Sequence, residues 1–385
     1  MENWLEMLFD LMIIFILNTM NYMVKIMGNE AKLALEDGTV LKGEAFGYET
    51  VTVGELAFST GMSGYTEALT DPSFKGQILM STYPLEVNYG VSEDWYQSEK
   101  VQVDGVVVRE ACKKLSNFGT KKTLDDFLKE FKVPGIEDID TRDLTLKIRE
   151  KGSLKAALAT EEIDDDELVA RAQEHKSIVD LDLVPLVSTP EVKTFGDFDK
   201  TVAIIDCGVK KNIINCFLEN GVGVALFPYN TDYQTILDYG VNGLMVSPGP
   251  GNPERLTDTI ANVEKLINKF PVFGICMGQH VIAKAFGATT YKMKFGHRGA
   301  NQPVKDLQSG KVFITSQNHG FAIDPDSLKG TDLELTQINL NDGTPEGFAH
   351  KELPLRTIQY HPESGPGPND TRDLFEEFGK LIKEY

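Results

Sequence analysis

Val272-Phe-Gly-Ile-Cys-Met-Gly278 reads as a short apolar strand that ends on a cysteine, after which Met277 to Phe286 continues in a helical pattern. Gly274 and Gly278 stand two residues to either side of Cys276, which is the Gly-x-nucleophile-x-Gly spacing with a thiol in place of a hydroxyl. Glycine at both places lets backbone crowd a tight strand-to-helix turn, and the turn lifts the intervening side chain out of the sheet. The helix N-terminus favours an anion at that point, here the thiolate. Taken alone, the same residues also fit a buried structural cysteine between two packing glycines.

Working outward, strands and helices alternate from Thr201 onward. Val202-Ala-Ile-Ile205, Val222 to Phe227, Leu244-Met-Val246 and Val272 to Ile275 are apolar strands. Lys211 to Glu219, Asp232 to Tyr239 and Thr257 to Phe270 carry helical periodicity between them. This pattern predicts an α/β domain: a parallel sheet with helices on both faces. In such sheets chemistry sits beyond the C-terminal strand ends. Three strand ends qualify, those leading into Cys276, Pro248 and His361.

A thiolate nucleophile needs a base. His361 ends the extended run Leu355-Arg-Thr-Ile-Gln-Tyr-His361, followed by Pro362 and Glu363. In extended chain Glu363 points to the same side as His361, where a carboxylate orients the imidazole and stabilises its charged form. Acyl transfer also needs an oxyanion hole. In Ser247-Pro-Gly-Pro-Gly-Asn-Pro253 the prolines carry no N–H, so the glycine amides are the donors left. Gly249 offers one, and Met277, next after the cysteine, a second. Gln317-Asn-His-Gly-Phe321 is expected to follow a strand over Lys311 to Ser316, where Asn318, the Gly320 amide and Phe321 are suited to the ends of an amino acid. His319 reads equally as a packed structural histidine.

The first half has a different texture. Ala31 to Leu35 and Thr39 to Gly43 form a hairpin about Asp37-Gly38, and short strands at Gln77 to Ser81 and Val103 to Val108 follow. Helical patterns cover Thr123 to Phe131 and Asp164 to Glu174, giving an N-terminal α+β domain. The domains are therefore read as residues 28–185 and 201–385, joined by a Pro- and Gly-containing linker over 186–200. Residues 1–27 hold an apolar run, Leu11 to Leu17, too short for a membrane span. They read as a disordered extension or a misassigned start, with Met23 and Met27 as alternative first residues.

The formal net charge of -20 argues against nucleic acid or an anionic membrane as a partner. The four cysteines form no Cys-x-x-Cys pair, which argues against a metal site or a disulfide scaffold and for a reducing, cytoplasmic setting.

Together, Gly-Ile-Cys-Met-Gly278, Ser247-Pro-Gly-Pro-Gly251 and His361-Pro-Glu363 resemble the class I, triad-type glutamine amidotransferases. Within that class, Lys292-Met-Lys-Phe-Gly-His-Arg-Gly299 and Gln317-Asn-His-Gly-Phe321 are similar to the carbamoyl-phosphate synthetase small chain. So are Leu35-Glu-Asp-Gly38, Gly54-Glu55, Thr60-Gly-Met-Ser-Gly-Tyr-Thr-Glu67, Leu69-Thr-Asp-Pro-Ser73 and Ile139-Asp-Thr-Arg142 in the first half. These N-terminal segments weigh against the amidotransferase of another synthetase, and the complete triad weighs against a non-catalytic glutamine-binding scaffold.

The resemblance implies a glutamine-hydrolysing subunit whose ammonia passes to a large subunit, in a heterodimer or an oligomer of heterodimers. That partner is expected to bind ATP and divalent metal and to make carbamoyl phosphate for pyrimidine and arginine synthesis, leaving this chain with no cofactor. Carried over by position, Cys276 is the nucleophile, His361 the base and Glu363 its carboxylate. Gly249, Gly251, Met277, Asn318, Gly320, Phe321 and, from the N-terminal domain, Ser73 bind L-glutamine. One position departs from the family pattern. The substrate-gripping glutamine four residues past the nucleophile is here His280, and Gln279 precedes it. One residue is about 100° of helix rotation, so the two point in different directions.

Overall fold

Alternation builds the N-terminal half. The computed structural model describes residues 30–385 except 116, 118, 119 and 121, so the expected extension over 1–27 lies outside the described residues. Leu33 and Leu35 of β1 (Glu30–Leu35) turn into one core with Leu56, Ile78 and Ile136, while Ala34 faces the opposite way toward Leu168 and Ala172. The hairpin to β2 (Val40–Gly47) pairs Leu33 with Leu41. β3 (Val51–Ser59), β4 (Gln77–Ser81), β5 (Gly105–Val107), β6 (Pro134–Glu137) and β7 (Leu154–Ala159) complete a closed barrel in the order β1-β2-β6-β5-β4-β3-β7. Closure leaves the barrel without an open edge.

Helices pack on the outside of this barrel, except that Leu144 and Ile148, from the helix after β6, join its interior cluster. α1 (Tyr65–Leu69) follows β3. α2 (Leu124–Glu130) begins at a capping box, in which the Thr123 hydroxyl accepts from Asp126 N at 3.1 Å. α3 (Thr141–Lys151) and α4 (Asp165–Glu174) follow, the second capped by Asp164.

The C-terminal half is one ten-stranded sheet. β9 (Thr201–Asp206), β10 (Gly223–Pro228), β11 (Gly243–Val246), β12 (Val272–Ile275) and β17 (Leu355–Ile358) form its parallel part, in the order β10-β9-β11-β12-β17. β13 (Thr290–Asp306), β14 (Val312–Ile323), β15 (Leu333–Asn339) and β16 (Pro345–His350) extend it antiparallel. The sheet is thus mixed, not wholly parallel: the chain between β12 and β17 returns through hairpins as well as a helix. Gln317 to Phe321 lies inside β14 and does not follow it, because the strand runs on to Ile323.

The stretch expected as a linker also carries structure. β8 (Lys193–Phe195) pairs antiparallel with β10 and covers the edge of the sheet, and Thr189 N donates to Asp206 Oδ2 at 2.7 Å. Three residues amid Pro and Gly are too short a run to show a strand period.

Alternate strand residues feed the two faces of the sheet. Ile205, Val246 and Val272 meet α6 (Tyr233–Asp238), α7 (Thr257–Leu266) and α8 (Met277–Ala285). Ile204, Met245 and Phe273 meet α5 (Lys211–Glu219) and α9 (Asp373–Glu384). Phe375 of α9 is fully buried and packs edge-on to Phe217 and Phe273, with ring centroids 5.3 and 6.0 Å away. Phe375→Ala is expected to destabilise the C-terminal domain by about 3–5 kcal/mol in urea unfolding followed by circular dichroism. Leu381→Ala on the exposed side of the same helix is expected to change it by about 0.5 kcal/mol or less.

Candidate active site

The turn after β12 holds Cys276 at φ 51° and ψ -106°, a conformation that side chains rarely adopt. α8 starts at the next residue. The turn closes because Gly278 lies against β11: a Cβ there would stand 2.0 Å from the Val246 carbonyl oxygen. Cys276 N donates to Ile358 O at 2.9 Å, which ties the turn to β17. The thiol is nearly buried, and its sulfur lies 3.7 Å from the Asn318 carbonyl oxygen.

β17 delivers His361. Its backbone N–H donates to Ser316 O at 2.8 Å, and its Nδ1 lies 2.7 Å from Glu363 Oε1. The chain is not extended here as expected; Pro362 and Glu363 form a turn, with Ser364 N donating to His361 O at 3.2 Å. The ring and the carboxylate still meet, because the turn folds Glu363 back beneath the imidazole. Lys210 Nζ reaches the same Oε1 at 3.0 Å. Burial works to lower the His361 ring, but the Glu363 carboxylate and the Cys276 sulfur outweigh it and hold the ring above its ordinary range. Burial likewise works to raise Glu363, and the charges of Lys210 and His361 outweigh it and hold the carboxyl low. His361 is thus set up as an imidazolium beside the Cys276 sulfur.

The loop Ser247 to Pro253 leaves β11 beside this pair. Ser247 Oγ accepts from Cys207 N at 2.9 Å, and Gly249 packs so closely on Cys207 that a Cβ would stand 2.2 Å from its carbonyl oxygen. A pocket of about 410 Å³ opens above Cys276. Its walls include Ser73, Gly249, Gly251 and Met277, with Asn318, Gly320 and Phe321 from β14. Each residue assigned by position to glutamine binding therefore lines one pocket with the cysteine. Ser73 reaches in from the barrel domain, and its buried hydroxyl has no partner in the protein.

Several residues at the site went unassigned in the sequence. Asp71 Oδ1 accepts from Ser73 N at 2.8 Å, and its Oδ2 accepts from Asn318 Nδ2 at 3.2 Å, so one carboxylate sets two pocket residues from different domains. Glu55, Lys292 and Arg298 also line the pocket. Lys292 Nζ lies 2.9 Å from Glu55 Oε2, and the buried Arg298 lies 3.7 Å from Glu55 Oε1. Asp71, Glu55 and Lys292 lay within the quoted motifs, but only the tertiary contact gives them a part.

The choice between Gln279 and His280 resolves on geometry. Gln279 turns into the sheet, where its Nε2 donates to Gln359 Oε1 at 3.2 Å and its Oε1 accepts from Thr357 Oγ1 at 3.1 Å. His280 lines the pocket, 2% exposed, with both ring nitrogens unpartnered. Burial, with Lys284 adding to it, pushes the ring down to about 3, so it is neutral and presents one donor and one acceptor.

Behind β14 lies a second buried layer. His319 Nδ1 lies 2.8 Å from Phe321 O, and Gln317 Nε2 donates to Glu346 Oε1 at 2.9 Å. Asn339 Nδ2 donates to the same oxygen at 2.8 Å, and His297 Nε2 lies 3.0 Å from Asp342 Oδ2. His297, His319 and Glu346 bring possible ligand atoms within 4.8 Å of one another. The ring nitrogens of both histidines and Glu346 Oε1 are engaged in this hydrogen-bond network, which braces the strand carrying Asn318 and Gly320, while Glu346 Oε2 has no partner. Burial raises Glu346 to about 7.

With this geometry in place, the comparisons with known proteins are direct. The sequence profile of glutamine amidotransferase class-I matches residues 203–381. The C-terminal half is a class-I glutamine amidotransferase domain. The profile of the carbamoyl-phosphate synthase small chain, CPSase domain, matches residues 33–158. The carbamoyl phosphate synthase small chain of Methanocaldococcus jannaschii is 53% identical over 358 residues, covering 91% of this chain and 99% of its own. Those of Archaeoglobus fulgidus and Methanopyrus kandleri are 50% and 47% identical, each covering 92% of this chain and 99% of its own. The chain belongs to the carbamoyl-phosphate synthase small chain family.

Two predictions follow the pocket and its brace. His280→Ala is expected to raise KM for glutamine by about tenfold with kcat little changed, as for loss of one buried hydrogen-bonding contact; an unchanged KM removes His280 from the substrate site. Glu346 keeps its proton to about pH 7 when folded but releases it near its ordinary 4.5 when unfolded. The folded state therefore binds more protons in that window, and stability falls as pH rises from 4.5 to 7. Glu346→Gln is expected to abolish that slope, with a relative gain at pH 8 on the order of 3 kcal/mol in urea titrations.

Proposed function

We propose that this chain hydrolyses L-glutamine to glutamate and ammonia at Cys276 and supplies the ammonia to a larger synthetase subunit. One observation carries the reading: a strained, helix-capping cysteine, a buried His361–Glu363 pair and the pocket that includes Ser73 and Asn318 converge on one point. The Cys276 thiolate attacks the side-chain amide carbon of glutamine. The N–H groups of Gly249 and Met277 receive the oxyanion, a contribution of roughly 2.7–4 kcal/mol per donor. His361 gives its proton to the leaving nitrogen; the C–N bond breaks, ammonia departs and a γ-glutamyl thioester remains. His361, now neutral, takes a proton from water. The resulting hydroxide adds to the thioester carbonyl, the C–S bond breaks, and glutamate and the thiolate are released. Glu363 keeps the ring in one tautomer throughout.

Ser73, His280 and the Gly320 amide surround the amino-acid end of the substrate. His280 in this reading takes the gripping role through its unpaired ring nitrogens. A second cavity, of about 780 Å³, shares Asn318 with the glutamine pocket and is lined by His361 and by Ser59, Tyr65 and Glu86 of the barrel domain. It offers the ammonia a way out between the domains. The larger subunit is read as the site of ATP, divalent metal and bicarbonate, where carbamoyl phosphate forms for pyrimidine and arginine synthesis. The pair would work in the cytoplasm. Among the described residues no helix is long and apolar enough to cross a membrane.

Cys276→Ser, purified with the large subunit, tests the reading. Glutamine-dependent synthesis is expected to drop at least about a thousandfold, while synthesis from added ammonium chloride persists. Glutamine hydrolysis that survives the substitution removes Cys276 as the nucleophile.

A further inference from the structure

Lys210 is the residue just before α5, and its side chain is 1% exposed. Burying an ammonium is costly unless its partners are well placed. Here Nζ lies 3.0 Å from Glu363 Oε1 and donates to Ser364 O at 2.5 Å. Glu363 Oε1 thus serves two cations, Lys210 Nζ and, at 2.7 Å, His361 Nδ1, while Oε2 has no partner. The turn is held at further points: Asn212 Nδ2 donates to Glu363 O, and Lys211 N donates to Gln97 O of the barrel domain at 2.8 Å. Ser364 within the turn has φ 60°, so its shape rests on these contacts.

Glu363 alone would have opposite effects on His361. It orients the ring, and it also binds the imidazolium's proton more tightly. Hydrolysis needs that proton to leave, first to the departing nitrogen. A fixed positive charge on the same carboxylate oxygen leaves the orientation in place and weakens the hold. Resting on the glutamine-hydrolysis reading above, we propose that Lys210 is a positioning residue of this site: it pins Glu363 and the His361–Ser364 turn, and its charge offsets the pull of the carboxylate on the imidazolium.

The surrounding charges leave this task to Lys210. From α8 the group facing His361 is Cys276. From α5, Cys216 faces Glu363 and Arg372, and burial pushes its thiol up to about 12 and keeps it neutral. From α1 it is Glu67, which faces Lys210 and which burial pushes up. Of the cations nearby, Arg372 pairs with Glu219 and Arg298 faces Glu55 and Cys276, whereas Lys210 is the one on the Glu363 carboxylate.

The test compares K210Q, K210M and K210R in the full complex with the large subunit, following kcat/KM for glutamine against pH and synthesis from ammonium chloride. K210Q and K210M remove the charge. Both are expected to move the alkaline limb of kcat/KM, where the imidazolium proton is lost, up by about one pH unit and to lower kcat at pH 7 about tenfold. KM for glutamine should stay within about twofold, because Lys210 does not line the glutamine pocket. Co-elution with the large subunit in size-exclusion chromatography reports that each variant folds and assembles. K210R keeps the charge and is expected to keep the wild-type alkaline limb. A wild-type alkaline limb in K210Q or K210M overturns the proposal, and so does a shifted limb in K210R. Should the neutral variants not assemble, the K210R arm decides it. A wild-type complex without glutaminase activity would instead overturn the parent reading.

Discussion

The left-handed backbone at Cys276 is the constraint on which the site is arranged. A non-glycine residue at φ 51° costs on the order of 1–3 kcal/mol and persists only where its neighbours over-determine it. Here they do. β12 is held between β11 and β17, Gly278 abuts Val246, and Cys276 N is tied to Ile358 O. The strain thus rests on adjacent, largely buried strands in the middle of the sheet. The return is direction: the thiol leaves the sheet at the start of α8, beside β14 and the turn carrying His361.

The second dependency is between the domains. The barrel is not a separate module joined by a tether, since Ser73 and Glu55 supply part of the pocket, Asp71 holds Asn318 and Gln97 braces the start of α5. The glutamine site is complete only when the two halves are docked. Lys210 sits where that docking meets the triad, against the second cavity between the domains. Glutamine chemistry and the proposed exit for ammonia therefore share walls, and a shift of one domain would be felt by both.

Much of this was legible in the chain. The strand–helix alternation after Thr201, the glycine spacing about Cys276 and the His361-Pro-Glu363 run are local signals, set by backbone sterics and by periodicity. Resemblance then brought Ser73 and the Asn318 segment to the same site. Less legible were features that depend on distant partners. β8 is three residues long and exists by pairing with β10. The hairpins between β12 and β17 made the sheet mixed. Glu363 meets His361 through a turn, where the extended chain would have brought them together by alternation.

Sequence by itself determined the elements, the elbow and the chemical class of the site, because each rests on residues within a few positions of one another. Tertiary structure decided which polar groups face which. Gln279 and His280 are adjacent in sequence, yet about 100° of helix rotation sends one to Gln359 and Thr357 in the sheet and the other into the pocket. Lys210 precedes Glu363 by more than 150 residues, and the helical period around it says nothing of a carboxylate. Such pairings follow from the packing of whole elements. The turn at Cys276 was readable from its glycines, but what its sulfur faces was fixed only when β14, β17 and the barrel domain closed around it.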